Sequence, residues 1–235
     1  LATEAGAWQT IAPSAIPFKD TDPLPQAMSK DAIKQLINDF KTAAARALKA
    51  GFKVVEIHAA HGYLINSFLS PLSNQRTDVY GGSFENRTRL LVEIVHAVRS
   101  VWPHDYPLFV RISATDWVDG GWAIDDSVVL SAVLKNINVD LIDCSSGGNS
   151  AAAKIAVRPM YQTPFAERIK KETGMRTGAV GMINTVEEAE SIISNDRADI
   201  VLLARQFLRD PYFPLHAAKE LAEDVDWPSQ YLRAK

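Results

Sequence analysis

The sequence predicts an α/β protein, a (β/α)8 TIM barrel of which about five of the eight strands lie in this chain. Three observations lead to this fold class. Short apolar strands alternate with helical segments, which indicates parallel strands joined by crossover helices. The strands are apolar on both faces, as in a sheet that is covered on both sides. Polar residues stand where several strands end, which is typical of a barrel active site.

An open, doubly wound sheet is the competing architecture. It is disfavoured because no G-x-G-x-x-G motif follows a predicted strand. Five strands and six helices are predicted, whereas a closed barrel needs eight strands. We therefore expect the C-terminal part of a barrel that begins in the loop after the third strand. The first three strands would be missing or supplied by another chain.

The elements follow in order from the N-terminal end. Residues 1–28 are predicted as an extended loop, because four prolines interrupt them and no period is sustained. Ser29 caps the first helix, in which apolar residues recur at helical spacing until Gly51. The strand "FKVVEIHAA" follows, which is short and rich in β-branched residues. Residues 29–222 form the barrel segment, and residues 223–235 form a C-terminal tail.

The same alternation continues along the rest of the chain. The next helix is opened by the capping residue Ser83 and closed by Pro103. The later helices are predicted in "DDSVVLSAVLKN", "TPFAERIKKETG", "TVEEAESIISN" and "DPYFPLHAAKELA". The later strands are predicted in "PLFVRIS", "VDLIDCSS", "RTGAVG" and "ADIVLLAR". The residues at the strand ends, which we expect to line one site, are His58, Arg111, Ser145, Gly181 and Arg205.

The composition is that of a globular protein, with 47% hydrophobic residues and a net charge of −3. This mild acidity gives no reason to expect nucleic acid or a membrane surface as a partner. No apolar run approaches the roughly 20 residues of a membrane span. No signal-peptide pattern follows Leu1, so we expect a cytoplasmic location. The single cysteine, Cys144, excludes an internal disulfide and a cysteine-only metal cluster within the chain.

Two histidines follow the first barrel strand in "EIHAAHGYLINSFLSP". His58 ends the strand and His61 lies in the next turn, so both imidazoles can converge on one small acceptor. Two alternatives stay open: a pair of partly buried histidines with internal partners, and a metal site. The metal site is disfavoured because zinc needs three or four ligands, and no further Cys or His has suitable spacing.

Two arginines also stand at strand positions that require a partner. Arg111 lies in an otherwise apolar strand, and Glu56 and Asp143 on neighbouring strands are its candidate partners. The segments "GAVGMI" and "LARQ" match a barrel phosphate site. There Gly181 lets backbone N–H groups approach an anion, and Arg205 can pair with phosphate oxygens. The alternative is a tight turn with a surface arginine.

The segment "EIHAAHGYLINSFLSPLSNQRTDVYGGSFENR" resembles the signature of the Old Yellow Enzyme family of FMN-dependent ene-reductases. The His-x-x-His pair is similar to the thermophilic-like branch. The resemblance continues through "PLFVRIS", "DLIDCSSG", "TGAVGMI" and "ADIVLLARQFLRDP" and so covers nearly the whole chain. It implies an oxidoreductase that holds FMN and takes hydride from NADPH or NADH. Its substrates would be small activated alkenes, namely α,β-unsaturated carbonyl or nitro compounds, whose C=C bond is reduced.

The resemblance also implies roles for the site residues. His58 and His61 donate hydrogen bonds to the substrate oxygen, where negative charge builds as hydride reaches the β-carbon. Tyr63 delivers a proton to the α-carbon. Arg111 faces the N1/O2 edge of the flavin, which becomes negative on reduction. The other cofactor contacts that it implies are Ser145, Gly181, Met182, Ala204 and Arg205.

Two further segments have expected roles outside the chemistry. In "RTDVYGGSFENR" we expect Arg76, Asn86 and Arg87 to hold loops rather than to touch substrate. The tail "WPSQYLRAK" is similar to one that, in the thermophilic-like branch, crosses a dimer and places an arginine at the neighbour's substrate pocket. It implies a homodimer or higher assembly in which Arg233 acts in trans. The alternative is a frayed terminus, although Tyr231 and other aromatic residues are unusual there.

The front of the barrel has no counterpart in this chain. The family's flavin contacts and redox-tuning cysteine on the first strands are missing, and Cys144 is not that cysteine. One alternative function is therefore a non-catalytic barrel fragment that needs a second chain to complete the flavin site. Another is a dienoyl-CoA-type reductase, which would require an iron–sulfur cysteine cluster that one cysteine cannot supply.

Overall fold

The computed structural model describes residues 6–235, so the first five residues of the predicted N-terminal loop lie outside the described residues. The strands are β1 (Ile11–Ala12), β2 (Gln26–Ala27), β3 (Val55–Ala59), β4 (Leu108–Ser113), β5 (Leu141–Ser145), β6 (Thr177–Val180) and β7 (Ile200–Leu202). The α-helices are α1 (Lys30–Lys49), α2 (Leu64–Leu69), α3 (Phe84–Arg99), α4 (Ile124–Asn136), α5 (Thr163–Thr173), α6 (Val186–Ser194), α7 (Arg205–Arg209) and α8 (Phe213–Glu220). The tail contains a 3-10 helix (Ser229–Ala234).

Strands β3 to β7 form one parallel sheet in which each strand pairs with the next one along the chain. This order has no reversal, as in a barrel and unlike a doubly wound sheet. The prediction of a partial (β/α)8 barrel with five of the eight strands is therefore confirmed. β1 and β2 pair only with each other. Within residues 6–235, the outer strands β3 and β7 each have a single strand neighbour.

The five strands divide their side chains between two faces of the sheet. On one face, apolar side chains such as Ile57 and Ile142 are buried in the core that the helices cover. On the other face, the register places His58, Arg111 and Asp143 in one row across β3, β4 and β5. The buried core thus fixes the backbone from which these polar side chains project.

The predicted starts of α1 and α3 are confirmed. The side chains of Ser29 and Ser83 each accept a hydrogen bond from the backbone N–H three residues further on. Pro103 is wrong as the end of the second of these helices, because α3 ends at Arg99. The Arg99 side chain donates to the carbonyl of Asn138 at 2.7 Å, which ties the end of the helix to the loop before β5.

Six predicted helices are too few, since the described residues contain eight. α2 was missed because five of its six residues are buried, which leaves no amphipathic period. α7 has only five residues. The boundaries at residues 1–28, 29–222 and 223–235 stay predictions. None of the described helices has the length and apolar character of a bilayer span.

Arg76 in the loop after α2, and Asn86 and Arg87 at the start of α3, hold backbone segments in place, as predicted. Arg76 donates to the carbonyls of Pro13 at 3.0 Å and Met28 at 2.6 Å, so it holds the N-terminal segment. Arg87 donates to the carbonyl of Leu69 at 2.8 Å. The Asn86 amide donates to a glycine carbonyl within the same loop. These side chains are therefore used to hold backbone in place.

Candidate active site

The turn after β3 is a strained segment held by the ends of two neighbouring strands. His61 has a φ of 61°, a conformation that side-chain-bearing residues rarely adopt. Its backbone N–H donates to the Ser113 hydroxyl at 2.9 Å, and its Nε2 lies 2.6 Å from the Ser145 hydroxyl. A Cβ on Gly62 would lie 2.1 Å from the carbonyl oxygen of Gly148, so only glycine permits this approach.

Three side chains converge at this turn. The ring centroids of His58 and His61 are 5.1 Å apart, and those of His58 and Tyr63 are 5.3 Å apart. The phenol of Tyr63 is 65% exposed, whereas both imidazoles are half-buried. The sequence prediction that His58 and His61 meet is supported by this geometry, and Tyr63 stands beside them.

Both imidazoles are poor bases in this setting. Burial, which is the largest cause, acts together with the Arg111 charge and His58 to lower the pKa of His61 to about 4. Burial and Arg111 also lower the pKa of His58 below its ordinary value. At neutral pH each ring is therefore uncharged and carries one N–H donor.

Arg111 is paired with a buried carboxylate. Its Nε lies 3.2 Å from Oδ2 of Asp143, which is fully buried. Of the two candidates predicted from the sequence, Asp143 rather than Glu56 is the partner of Arg111. Neither carboxylate oxygen accepts an aligned hydrogen bond from the described residues. Burial raises the pKa of Asp143 to about 7, because Arg111 only partly offsets the loss of water and Glu56 adds a second negative charge.

A second cluster lies at the ends of β6 and β7. Gly181 has a φ of 118° and Met182 a φ of 54°. Arg205 is exposed, and its Nη2 lies 3.4 Å from the Met182 sulfur. Ala204 precedes Arg205 at the start of α7. Within residues 6–235, the backbone N–H groups of Gly181 and Met182 donate no hydrogen bond. Free N–H groups beside an exposed guanidinium are the donor set that a phosphate requires.

Gln162 connects the two clusters and was not predicted. Its amide oxygen accepts from the Ser146 hydroxyl at 2.5 Å and lies 3.4 Å from the Ser145 hydroxyl. Its amide nitrogen donates to the carbonyl of Val180 at 3.0 Å. A Cβ on Gly181 would lie 2.7 Å from that nitrogen. The available signal was a polar residue just before the α5 helix, which by itself does not indicate a site.

Arg233 does not reach these clusters through a hydrogen bond or an ion pair with any described residue. It belongs to the 3-10 helix of the tail, where no residue is buried. The tail contacts the residue that precedes α8, since the hydroxyls of Tyr231 and Tyr212 are 3.0 Å apart. Its action on a second subunit stays a prediction. Cys144 lies on the helix-covered face, where burial raises the pKa of its thiol.

Comparison with known proteins places this chain in a family. The sequence profile described as "NADH:flavin oxidoreductase / NADH oxidase family" matches residues 4–224. An NADPH dehydrogenase of Bacillus pumilus (strain SAFR-032) is 53% identical over 224 residues, which are 95% of this chain and 65% of that protein. The chain thus spans just under two thirds of the length of that relative.

Two solved structures share the fold. A 2-naphthoyl-CoA reductase in complex with 2-naphthoyl-CoA has a TM-score of 0.84 and 29% identity, over 90% of this chain and 33% of that one. Morphinone reductase in complex with tetrahydroNAD has a TM-score of 0.76 and 25% identity, over 95% of this chain and 63% of that one. These matches confirm the predicted Old Yellow Enzyme resemblance. At the level of the family, they also confirm FMN with NADPH or NADH as the reductant.

Proposed function

Because the chain belongs to the NADH:flavin oxidoreductase / NADH oxidase family, we propose that it carries the catalytic part of an FMN-dependent ene-reductase. The substrates would be α,β-unsaturated carbonyl or nitro compounds, and NADPH or NADH would be the reductant. The observation that carries the proposal is the convergence of two uncharged imidazoles and an exposed phenol at the strand ends. FMN, when bound, supplies the hydride that the alkene's β-carbon accepts.

His58 and His61 bind the oxygen of the substrate in this proposal. Each uncharged ring donates one N–H, and the two donors together stabilise the negative charge that develops on that oxygen. The hydrogen bond from the His61 backbone N–H to the Ser113 hydroxyl and the contact of its ring with the Ser145 hydroxyl fix His61 before substrate arrives. Because the pKa of His61 is about 4, its donor state does not change across the neutral pH range.

Tyr63 is the proposed proton donor. Its ring lies beside His58, and its exposed side chain can reach a substrate held by the histidines. A phenolic O–H is a proton donor at neutral pH, and transfer to the α-carbon completes the addition of two hydrogens across the C=C bond.

The residues of both clusters fit FMN. Arg111 keeps guanidinium N–H groups on the polar face of the sheet, where they suit the N1/O2 edge of the ring and stabilise negative charge there. Ser145 lies between the histidines and the second cluster. The four residues proposed to hold the phosphate are Gly181, Met182, Ala204 and Arg205.

A non-catalytic fragment that needs a second chain is the other candidate function. The outer strands β3 and β7 each lack a second neighbour among residues 6–235, and Glu56 is exposed on the polar face. A second chain that supplies strands at these edges would cover that face. On this reading, the chain would bind FMN only together with such a partner.

The proposal also includes an oligomer in which Arg233 acts on the neighbouring subunit, and a cytoplasmic location. In a homodimer or higher oligomer, Arg233 of one subunit would line the substrate site of its neighbour. The exposure of Tyr231 and Leu232 beside it supports an interface at this tail.

The decisive experiment measures FMN binding and turnover on the purified chain. FMN titration followed by flavin fluorescence should show saturable binding. Oxidation of NADPH under nitrogen should then depend on 2-cyclohexenone. Tyr63→Phe should slow reoxidation of the reduced flavin by the alkene and leave its reduction by NADPH unchanged. FMN binding only after addition of a second chain would instead support the fragment. Equal loss in both half-reactions would remove Tyr63 from the role of proton donor.

A further inference from the structure

A large cavity lies beside the histidine cluster but outside it. It measures about 900 Å³ and lies between the turn after β3 and the segment of residues 7–25, which we call the N-terminal lobe. Gly62 and Tyr63 belong to its wall, whereas His58, His61 and Arg111 do not. Tyr63 is therefore shared between the proposed reaction site and the cavity.

The N-terminal lobe is held in place by hydrogen bonds at several points. β1 of the lobe pairs with β2, which directly follows the lobe, and the Gln9 amide donates to the carbonyl of Leu24 at 3.0 Å. The backbone N–H of Gln75 donates to the Ser14 hydroxyl at 2.9 Å. Together with the contacts of Arg76, these bonds fix the lobe against the loop after α2. The side of the cavity that the lobe forms is thus held in a defined position by these hydrogen bonds.

The wall is apolar for the larger part and lacks positive charge; its uncharged polar residues are Thr10, Ser67, Ser73, Asn149 and Ser150. Trp8 and Phe18 face it from the lobe, and both are more than half exposed. Leu72 and Val118 line the opposite side. No lysine or arginine of the described residues lines the cavity, and its one carboxylate is Asp22. The charge therefore disfavours the phosphates of NADPH and any carboxylate, and the apolar wall favours a neutral group.

We propose that this cavity binds the apolar substituent of a bulky, neutral alkene substrate while the C=C bond lies at Tyr63. The proposal rests on the proposed function and adds the substrate class. Because Tyr63 borders both sites, a substituent that extends past its ring from the histidines enters the cavity. Exposed Trp8 and Phe18 supply aromatic surfaces against which a phenyl ring can stack.

Two enones that differ by one group test this assignment. 3-Penten-2-one carries a methyl group where 4-phenyl-3-buten-2-one carries a phenyl group. Trp8→Ala and Phe18→Ala should each raise KM for the phenyl ketone about 3- to 10-fold with kcat unchanged, as expected for the loss of an aromatic contact. Both constants for the methyl ketone should stay the same. Leu24→Ala is the matched control, because Leu24 is exposed in the same lobe but does not line the cavity.

Equal effects on both ketones, or no effect on either, would overturn the cavity as the binding site. A chain that reduces neither ketone would contradict the proposed function, and a separate titration then decides the inference. The saturated ketone 4-phenyl-2-butanone is titrated by calorimetry into the flavin-free chain. Weaker binding in Trp8→Ala and unchanged binding in Leu24→Ala would retain the cavity. No binding, or equal binding in all variants, would reject it.

Discussion

The buried carboxylate of Asp143 should make the stability of the protein depend on pH. Its ordinary pKa of 3.8 is raised to about 7 in the folded chain, because burial disfavours the charged form more than Arg111 restores it. Between these two values the folded protein holds a proton that the unfolded chain has released. The free energy of unfolding of the wild type therefore falls as pH rises through this window. Asp143→Asn removes the titration and keeps the shape of the side chain.

The magnitude follows from the width of the window. One pKa unit corresponds to about 1.4 kcal/mol. The folded-state pKa of about 7 lies two pH units above pH 5. The free energy of unfolding of the wild type should therefore fall by about 2.7 kcal/mol between pH 5 and pH 8 because of this carboxyl group. The variant carries a neutral amide at every pH, so its own free energy of unfolding has no contribution from this titration. The stability of Asp143→Asn relative to wild type should therefore rise by about 2.7 kcal/mol from pH 5 to pH 8.

Urea denaturation followed by tryptophan fluorescence measures this difference on the purified, flavin-free chain. Glu56→Gln is a control in which a smaller effect is expected. Partial loss of water also raises the pKa of Glu56, but the residue keeps enough contact with solvent for water to screen its charge. The stability of Glu56→Gln relative to wild type should also rise from pH 5 to pH 8, but by less than that of Asp143→Asn. A difference for Asp143→Asn that is equal at pH 5 and pH 8, or that falls with pH, would refute the reasoning.

Three further predictions concern the proposed chemistry. His58→Ala should lower alkene turnover on the order of 100-fold with FMN content unchanged, since one donor to the substrate oxygen is lost; equal loss of FMN would make the histidine structural. Arg205→Ala should weaken FMN retention on dialysis, whereas Arg111→Ala should lower the flavin reduction potential measured by spectroelectrochemistry. Unchanged values in both would assign both arginines to structure. Deletion of residues 228–235 should raise KM and weaken dimerisation with an unchanged flavin spectrum. A wild-type monomer at micromolar concentration by sedimentation, with unaltered KM in the deletion, would contradict a role for Arg233 in trans.

The sequence allowed the barrel fold and the strand-end residues to be predicted because both depend on short-range patterns. Alternation along β3 puts Glu56 and His58 on one face, and the structure shows Ile57 buried on the other. Parallel pairing then places Arg111 beside His58 without any knowledge of side-chain packing. α2 could not be predicted in the same way, because a helix that is buried all round has no polar face to mark its period.

Contacts between distant segments account for what the sequence did not reveal. The close approach of Gly62 and Gly148 joins two loops that are 86 residues apart, and neither loop alone indicates why glycine is needed. The choice of Asp143 over Glu56 as the partner of Arg111 is of the same kind. Both carboxylates lie on strands next to β4, and the degree of burial distinguishes them only once the fold is complete.

The side chain of Gln162 shows how packing joins the two clusters into one site. Its amide spans from the Ser146 hydroxyl at the end of β5 to the carbonyl of Val180 at the end of β6. The amide nitrogen lies 2.7 Å from the place where a Cβ on Gly181 would stand, and the φ of 118° there also favours glycine. The same amide oxygen lies beside Ser145, which contacts His61. The positions of the substrate-oxygen donors and of the proposed phosphate-binding loop therefore depend on one amide group.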